Sequence, residues 1–252
     1  MWNGDYAFLL RNLIGKDFKV RYRNMSLGMF WSLLNPLVTM GVLTVVFTYF
    51  MPNTAIRNYP MFFLCGLIPY NFFVMAWSTG TSSLVDNTNL IKRVTVPREI
   101  IPIATVLGNS LHLLIQIALL LAFAMFVGSG INRYWIWLPL IWVMEVILLC
   151  GLALISSAVN VYVRDTRYLV ESFNTVLFWL VPIVYPPPPP KYYAMFELNP
   201  VAALVFALRD ILLDGRQPAA SLLLKLSFGS IAMLGTGLVL FRLMKQKFYD
   251  YL

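Results

Sequence analysis

Long uncharged apolar runs alternate along the chain with short segments that carry most of the charged residues. A helix that crosses a membrane needs about 20 mostly apolar residues, because the hydrocarbon core of a bilayer is about 30 Å thick. Six runs reach or approach that length and each predicts a spanning helix; they cover residues 25–51, 59–85, 100–127, 134–163, 172–185 and 226–241. The pattern therefore predicts an all-α integral membrane protein, with residues 1–252 in a single transmembrane domain.

The composition excludes a water-soluble fold, because 60% of the 252 residues are hydrophobic and only 12% are charged. A globular domain of this length could not bury so much apolar surface. The net charge of +8 does not point to a nucleic-acid partner, since the basic residues lie between apolar runs and relate to membrane topology. Cys65 and Cys150 lie in different apolar runs, which predicts buried thiols and no metal site.

The distribution of basic residues predicts which side of the membrane each loop faces. With six spans the two termini lie on the same side, and that side holds most of the 19 lysines and arginines. Cytoplasmic loops are enriched in these residues, so both termini and the loops at 86–99 and 161–171 are predicted to be cytoplasmic. The connection at 186–219 is then external.

Residues 1–24 contain a basic amphipathic segment. Its apolar residues recur at helical spacing and its basic residues fall mostly elsewhere; the apolar set is Tyr6, Leu9, Leu10, Leu13, Ile14 and Phe18. This pattern is typical of a helix that lies flat on the anionic leaflet of a membrane. We predict a cytoplasmic interface helix in contact with membrane lipids; a lead-in helix with no further role is the alternative.

The loop at 86–99 mixes aliphatic and charged residues too closely for a solvated linker. Its candidate contact residues are Asn89, Leu90, Ile91, Lys92, Arg93, Val94, Arg98 and Glu99. Apolar anchors inside a charged rim are typical of a surface that docks on a protein partner. Packing of this loop against its own chain is the alternative. In the loop at 161–171, Arg164 and Asp165 fit a solvated turn as well as a docking contact.

The external connection begins with five consecutive prolines at 186–190, which favour an extended polyproline arm. Farther on, Asn199 and Pro200 form an N-cap and first-turn pair, and Gly215 provides a stop. The residues between them are mostly apolar, so the sequence predicts a helix that is too short to cross the membrane and too apolar for water. We predict that it is a re-entrant or surface-lying helix at the external mouth.

No nucleotide-binding or hydrolytic motif occurs in the chain. The phosphate-binding pattern G-x-x-x-x-G-K-[ST] is absent, as are G-x-S-x-G, H-E-x-x-H and any cysteine cluster. Glu145 and His112 are ionisable groups inside predicted spans, where such groups are functional candidates. One carboxyl and one imidazole do not form an evident proton relay, so a paired structural contact is favoured for both.

Four stretches together resemble the membrane subunits of ABC transporters that export cell-surface polysaccharides, namely O-antigen, capsule and teichoic acid. They are RYRNMSLGMFWSLLNPL at 21–37, NLIKRVTVPREIIP at 89–102, VRDTRYLVE at 163–171 and LNPVAALVFALRDILLDG at 198–215. The resemblance runs through the whole chain in order. It departs at the prolines of 186–190, where the family has a mixed segment and this chain is slightly short.

The resemblance implies a permease, not an enzyme, that works as a homodimer with two copies of a separate ATPase subunit. That subunit would bind ATP and magnesium, and no cofactor is expected in this chain. The loop at 86–99 would be the coupling helix seated in a groove of the ATPase, with Arg164 and Asp165 in a second contact. The helix at 200–213 would be an external gate helix, with Asn199, Pro200 and Arg209 at the gate.

The resemblance also implies the cargo and the location. The cargo would be a polyprenyl-diphosphate-linked glycan or polyol phosphate, moved across the bacterial inner membrane. A channel for a sugar polymer should offer aromatic platforms and a few hydrogen-bonding groups, because a glycan has apolar C–H faces and polar edges.

Two stripes at helical spacing meet this requirement, one in the first predicted span and one in the fifth. The candidates are Trp31, Asn35 and Tyr49, with Val38 and Val42, and then Asn174, Phe178 and Tyr185, with Val181. Ordinary helix or lipid packing of these side chains is the alternative.

Three other functions stay open at this point. An ABC exporter of drugs or small lipids would share the coupling loops and need a narrower pathway. A membrane-embedded glycan transferase would need a carboxylate or basic cluster at the headgroup level, and none is evident in the sequence. A channel would need no ATPase partner.

Overall fold

The computed structural model describes residues 5–22, 30–50, 58–93, 97–128, 130–186 and 196–248, together with residues 56, 189 and 191. Helices form most of this part of the chain, and no strand occurs in it. The α-helices are α1 (Tyr6–Tyr22), α2 (Phe30–Val45), α3 (Tyr59–Asp86), α4 (Thr88–Arg93), α5 (Ile100–Val127), α6 (Leu138–Tyr162), α7 (Thr166–Leu180), α8 (Pro200–Leu212) and α9 (Ala220–Met244). The π-helical turn Val46–Phe50 continues α2, and 3₁₀ turns precede α6 (Arg133–Trp137) and follow α9 (Lys245–Lys247). The all-α fold class is confirmed.

Within the described residues, five helical segments are long and apolar enough to cross a membrane. They are Leu33–Phe50, Tyr59–Asp86, Ile100–Val127, Arg133–Tyr162 and Ala220–Met244. These correspond to the first four predicted spans and the sixth, although residues 25–29 and 51 of the first lie outside the described residues. The predicted fifth span overlaps α7, a helix of 15 residues that ends at Leu180. The fifth predicted span, and with it the total of six crossings, therefore stays a prediction.

Two helices begin before the bounds that the sequence predicted. The uncharged apolar runs start after Glu171 and Lys225, whereas α7 begins at Thr166 and α9 at Ala220. Lys225 is accommodated inside α9 because its Nζ lies 2.5 Å from Oε2 of Glu197. Glu171 is exposed on the surface of α7. Such charged residues end an uncharged run in the sequence, but they do not interrupt the hydrogen bonding of a helix.

Helix α3 lies at the centre of the bundle. Every residue from Met61 to Tyr70 is buried, and the helix packs against α2, α5, α6, α7 and α8. A helix that is apolar on all faces is stable only when other elements cover it. Helix α2 lies at the edge, where only 6% of the spanning segment Leu33–Phe50 is buried.

Side-chain hydrogen bonds join the last turns of α3 to three neighbouring helices. Ser78 accepts from Asn174 of α7, Thr79 accepts from Asn109 of α5, and Trp77 and Thr81 bond to Ser156 of α6. The N···O and O···O distances in these bonds run from 2.7 to 3.3 Å. Lipid chains are as apolar as leucine side chains, so such polar contacts and close packing hold helices together inside a membrane. We call these residues of α3 the polar collar.

Helices α6 and α9 approach each other most closely at two glycines. A Cβ atom on Gly151 would lie 2.5 Å from the carbonyl group of Met233, and one on Gly237 would lie 2.6 Å from the carbonyl oxygen of Gly151. Both distances are far below van der Waals contact, so only glycine permits this crossing. Small residues at a crossing let two helix backbones pack closely in a membrane.

Replacing Gly151 by alanine is therefore expected to separate α6 from α9 and to destabilise the protein by about 1–3 kcal/mol, as overpacked cores do. The midpoint of thermal unfolding in detergent measures this effect. Gly235→Ala, on the same helix pair, is the control, because a Cβ atom there meets nothing within 4 Å. Equal midpoints for the two variants would contradict the close crossing.

Candidate functional site

Helix α4 connects the end of α3 to the start of α5, and we call this end of the bundle the α4 end. Asn87 starts the turn, since its carbonyl oxygen accepts from the N–H groups of Leu90 and Ile91. Ile91 is 5% exposed and points into the protein, whereas Lys92 and Arg93 are exposed. Asn89 is exposed as well, and Val94 lies outside the described residues. One face of α4 thus packs on its own chain, and the other is polar, basic and open.

The inward face of α4 contacts two apolar clusters. Ile91 belongs to one that gathers residues from α3, α5, α6 and α9; its other members are Leu84, Ile101, Leu154, Ala158, Val161, Phe241 and Phe248. We call it the Ile91 cluster. Leu90 packs on a second cluster formed by α1 and α5, which includes Leu13, Ile100 and Ala104. A displacement of α4 would therefore act on most helices of the bundle at once.

Helix α1 confirms the helix predicted near the N-terminus, and protein covers part of its apolar face, since Leu13 is buried whereas Tyr6 is 57% exposed. Leu9, Leu10 and Ile14 pack around Leu13 against α5, while Arg11, Lys16 and Lys19 are exposed. Lys16 Nζ donates to Oδ1 of Asn87 at 2.7 Å, which joins α1 to the turn before α4. The contact with membrane lipids stays a prediction.

Arg98 and Glu99, both predicted as partner contacts, are only half-exposed and face the end of α9. Arg98 Nη1 donates to the carbonyl oxygen of Lys245 at 3.0 Å, and Glu99 Oε1 lies 3.5 Å from Lys245 Nζ. Arg164 and Asp165 are exposed in the turn between α6 and α7, at the same end of the bundle as α4. A role in binding a partner stays a prediction for all four.

The predicted stripe on α2 faces away from the rest of the chain. Trp31 is 54% exposed and Tyr49 is 77% exposed, and Asn35, Val38 and Val42 are exposed between them. The opposite side of the helix, with Met40, Leu43 and Phe47, packs on the core. The stripe is thus available to lipid or to a second protein surface.

The predicted stripe on α7 turns toward α3 instead. Asn174 is 3% exposed, and its carbonyl oxygen accepts from the hydroxyl of Tyr70. Phe178 meets the ring of Tyr70 edge-on, with centroids 5.4 Å apart, and Tyr185 Oη donates to the carbonyl oxygen of Trp179 at 2.7 Å. Asn174 and Phe178 of this stripe therefore pack on α3, and a role in the glycan pathway stays a prediction.

An open groove of about 310 Å³ runs between α3 and α7 beside these residues. Rings and polar groups share its wall, which consists of Tyr70, Val74, Ser78, Glu171, Asn174, Thr175, Phe178 and Trp179. Aromatic faces beside hydroxyl, amide and carboxylate groups can contact both the apolar faces and the polar edges of a sugar. Sequence reasoning identified Asn174 and Phe178 but missed the α3 side, where Tyr70, Val74 and Ser78 recur at helical spacing.

Helix α8 has the start and the stop that the sequence predicted. Oδ1 of Asn199 accepts from the N–H of Val201 at 3.0 Å, Pro200 is the first helical residue, and Gly215 has a left-handed φ of 64°. Every residue from Val201 to Leu212 is buried by other parts of the protein. The re-entrant position stays a prediction. Of the proline run, residues 187, 188 and 190 lie outside the described residues.

Arg209 of α8 joins three segments at the end of the bundle opposite α4. Its Nε and Nη2 donate to the carbonyl oxygen of Phe62 at 3.3 Å, and Nη2 also donates to that of Ile183 at 3.1 Å. The guanidinium carbon lies 3.4 Å from the centroid of the Phe62 ring, and the residue is 5% exposed. A planar group with several donors is required to satisfy both carbonyl groups at once.

The buried carboxylates near α8 each have a basic partner. Asp210 lies 2.5 Å from Arg216, and Glu197 lies 2.5 Å from Lys225 of α9. Burial raises the pKa of Asp210, and the hydrogen bond and charge of Arg216 partly offset that rise. These pairs make the buried charges of this region tolerable.

Glu145 and His112, singled out in the sequence, lie apart from these sites. Glu145 is 1% exposed in α6 and His112 is half-buried in α5. No group of three or more potential metal ligands occurs in the part of the chain that the structure describes.

The chain is similar to known transport proteins over its whole length. The family model described as ABC-2 type transporter matches residues 9–213. An O-antigen export system permease protein RfbA of Klebsiella pneumoniae is 31% identical over 255 residues, covering 100% of this chain and 98% of that protein. An RfbA of Myxococcus xanthus is 28% identical, covering 98% and 96%. The polysialic acid transport protein KpsM of Escherichia coli is 24% identical over 90% of each chain.

The contacts of Arg209 predict that lysine cannot replace it. One ammonium group cannot span two carbonyl oxygens and stack on Phe62, so Arg209→Lys is expected to lose about 1–3 kcal/mol of stability. The thermal unfolding midpoint in detergent is the measurement. The control is Arg133→Lys, at an exposed arginine before α6. If the two lysine variants unfold at the same temperature, Arg209 does not hold these segments together.

Proposed function

The chain belongs to the ABC-2 type transporter membrane family, and on that basis we propose that it is the permease subunit of an ATP-driven exporter of a lipid-linked cell-surface polysaccharide. The observation that carries this proposal is the end-to-end similarity to O-antigen export permeases, which leaves no segment of the chain unmatched. The 252 residues contain no phosphate-binding loop, and we assign ATP hydrolysis to another polypeptide. We place that role with two copies of a separate ATPase subunit, acting on a homodimer of this chain.

The fifth predicted span, which brings the number of membrane crossings to six, is formed by α7 and residues 181–185. Helix α7 runs along α3, since Phe173 contacts the ring of Trp77 near the end of α3. After α7, the carbonyl oxygen of Val184 accepts a hydrogen bond from Tyr59 at the start of α3. The 15 residues of α7 span about 22 Å at 1.5 Å per residue, and the turns and bends of residues 181–185 continue from it toward the start of α3. Six crossings place both termini on one side, which the distribution of basic residues identifies as cytoplasmic.

The open face of α4 is the contact for the ATPase subunit. Asn89, Lys92 and Arg93 are exposed on it, and the turn with Arg164 and Asp165 lies at the same end of the bundle. The inward face carries Ile91 and Leu90, which anchor α4 in two apolar clusters. Closure of the ATPase pair on ATP would press on α4, and rigid packing would pass the displacement to the spans.

The pathway for the glycan lies between the two copies. The α2 stripe with Trp31, Asn35 and Tyr49 is exposed in a single chain, and the groove beside Asn174 and Phe178 is open. Tyr185 lies toward the external end of α7. A polymer slides only when its contacts are many and weak, and isolated rings with scattered polar groups provide such contacts.

The external mouth is closed by α8. Asn199 and Pro200 fix where this helix begins, and Arg209 holds it to the start of α3 and to the segment after α7. A re-entrant helix is tolerated at this depth because protein surrounds it on all sides.

Purification of the tagged chain from its native membrane is expected to recover an ATPase subunit, whose hydrolysis is stimulated by polyprenyl-diphosphate-linked glycan. The double change Lys92→Glu and Arg93→Glu is expected to lower the amount of ATPase subunit recovered by at least about tenfold. The two glutamates would repel the surface of that subunit, since the surface is proposed to accept a basic helix. Arg133→Glu, at the other end of the bundle, is the control. Recovery of the chain without any ATPase would refute the proposal, and stimulation by drugs but not by glycan would favour the drug exporter.

The variants Trp31→Ala and Phe178→Ala are expected to slow glycan export several-fold while leaving the complex assembled, since each removes one aromatic platform worth about 0.5–1.5 kcal/mol. Glycan moved into sealed vesicles per unit of ATP is the measurement. Phe228→Ala removes a ring that is 78% exposed on α9, outside the stripes, and serves as the control. Export equal to the control in both variants would remove the two stripes from the pathway.

A further inference from the structure

The last span ends in an unusual way, because side chains from distant elements cap it. The final carbonyl groups of any helix have no partner inside the helix. Here the carbonyl oxygen of Met244 accepts from the hydroxyl of Tyr162 at 2.5 Å, and that of Lys245 accepts from Arg98 at 3.0 Å. Tyr162 is the last residue of α6, and Arg98 lies between α4 and α5. The end of α9 is therefore bonded to the segment that carries α4.

Phe248 fixes the same end by burial. It is 0% exposed and lies edge-on to the rings of Tyr162 and Phe241, at centroid distances of 5.8 and 5.6 Å. It also belongs to the Ile91 cluster, and the Arg98 guanidinium lies 5.8 Å from its ring centroid. Residues 245–248 thus fold back into the protein, with Phe248 packed in the same cluster as Ile91 of α4.

The electrostatics favour the same arrangement. The C-terminal end of a helix carries a partial negative charge, so the cationic Arg98 is stabilised beside it. The pair between Glu99 and Lys245 is partly exposed and 3.5 Å apart, and a pair of that kind contributes little. Arg98, Tyr162 and Phe248 therefore hold the contact.

We propose that residues 245–248 form a strut that couples α4 to α9, so that force applied to α4 moves the last span. This proposal rests on the proposed function and adds to it a positioning role for Arg98. The sequence predicted Arg98 as a contact with the ATPase subunit. The geometry gives it another task, since its guanidinium group is directed at α9 while Lys92 and Arg93 supply the open basic face.

The test uses the complete complex of the chain with its ATPase subunit in proteoliposomes that contain polyprenyl-diphosphate-linked glycan. Arg98→Ala and Phe248→Ala are expected to retain the ATPase subunit and its hydrolysis, while glycan moved per ATP falls. For Arg98→Ala the fall is about tenfold, the loss expected for one charged hydrogen bond, and for Phe248→Ala it follows from removal of the buried ring. Tyr162→Phe, which removes a single hydroxyl and preserves packing, is expected to show a smaller loss in the same direction. Arg242→Ala and Leu243→Ala are the controls, because both residues are exposed on the last turn of α9.

Other outcomes would overturn the strut. Loss of the ATPase subunit from Arg98→Ala would make Arg98 a direct partner contact, and normal export in all three variants would remove the coupling role. Amide hydrogen exchange of residues 241–248 gives a readout independent of transport, and it is expected to accelerate in Arg98→Ala but not in Arg242→Ala. Unchanged exchange would refute the strut even if the complex exports glycan. Failure of the unmodified chain to bind any ATPase would refute the proposed function, whereas the exchange result would still decide the strut.

Discussion

The bundle depends on how α3 is held, because the hydrophobic effect gives no driving force between helices that are already in lipid, which leaves close packing and polar contacts to hold them. Its first half is enclosed by other helices on every side, and its last turns form hydrogen bonds to α5, α6 and α7 through the polar collar. These bonds fix the rotation of α3 as well as its position. The groove beside α7 and the placement of α4 both follow from that rotation, since one lies on a side of α3 and the other at its end.

Helix α4 shows how one short element serves two environments. Its six residues provide an aliphatic side that the protein covers and a polar, basic side that stays open. The sequence offered docking on a partner and packing on the chain itself as alternatives, and the structure shows that packing accounts for Leu90 and Ile91. Asn89, Lys92 and Arg93 stay exposed on the other side. Because its aliphatic side is tightly packed, a displacement of α4 would be passed to the helices that it contacts.

The periodic and local features of the chain could be predicted from its sequence, and the contacts between distant elements could not. The bounds of α5 and the cap and stop of α8 agree with the prediction, because uncharged run length and Asn, Pro and Gly signals act locally. The start of α9 differs from the prediction because the partner of Lys225 is 28 residues away in the sequence, and the start of α7 differs because Glu171 lies exposed on the helix surface. The turn of the α7 stripe toward α3 and the direction of Arg98 depend on packing, which spacing along one helix does not encode.

The ion pair between Glu197 and Lys225 also constrains the order of biosynthesis. The carboxylate precedes its ammonium partner along the chain, and the two lie on opposite sides of the link from α8 to α9. During translation Glu197 must stay hydrated until α9 emerges, because a lone carboxylate is costly to place in an apolar interior. Helix α8 can therefore settle beside α3 only after α9 has emerged from the ribosome, so α8 docks on the bundle later than its place in the sequence would suggest.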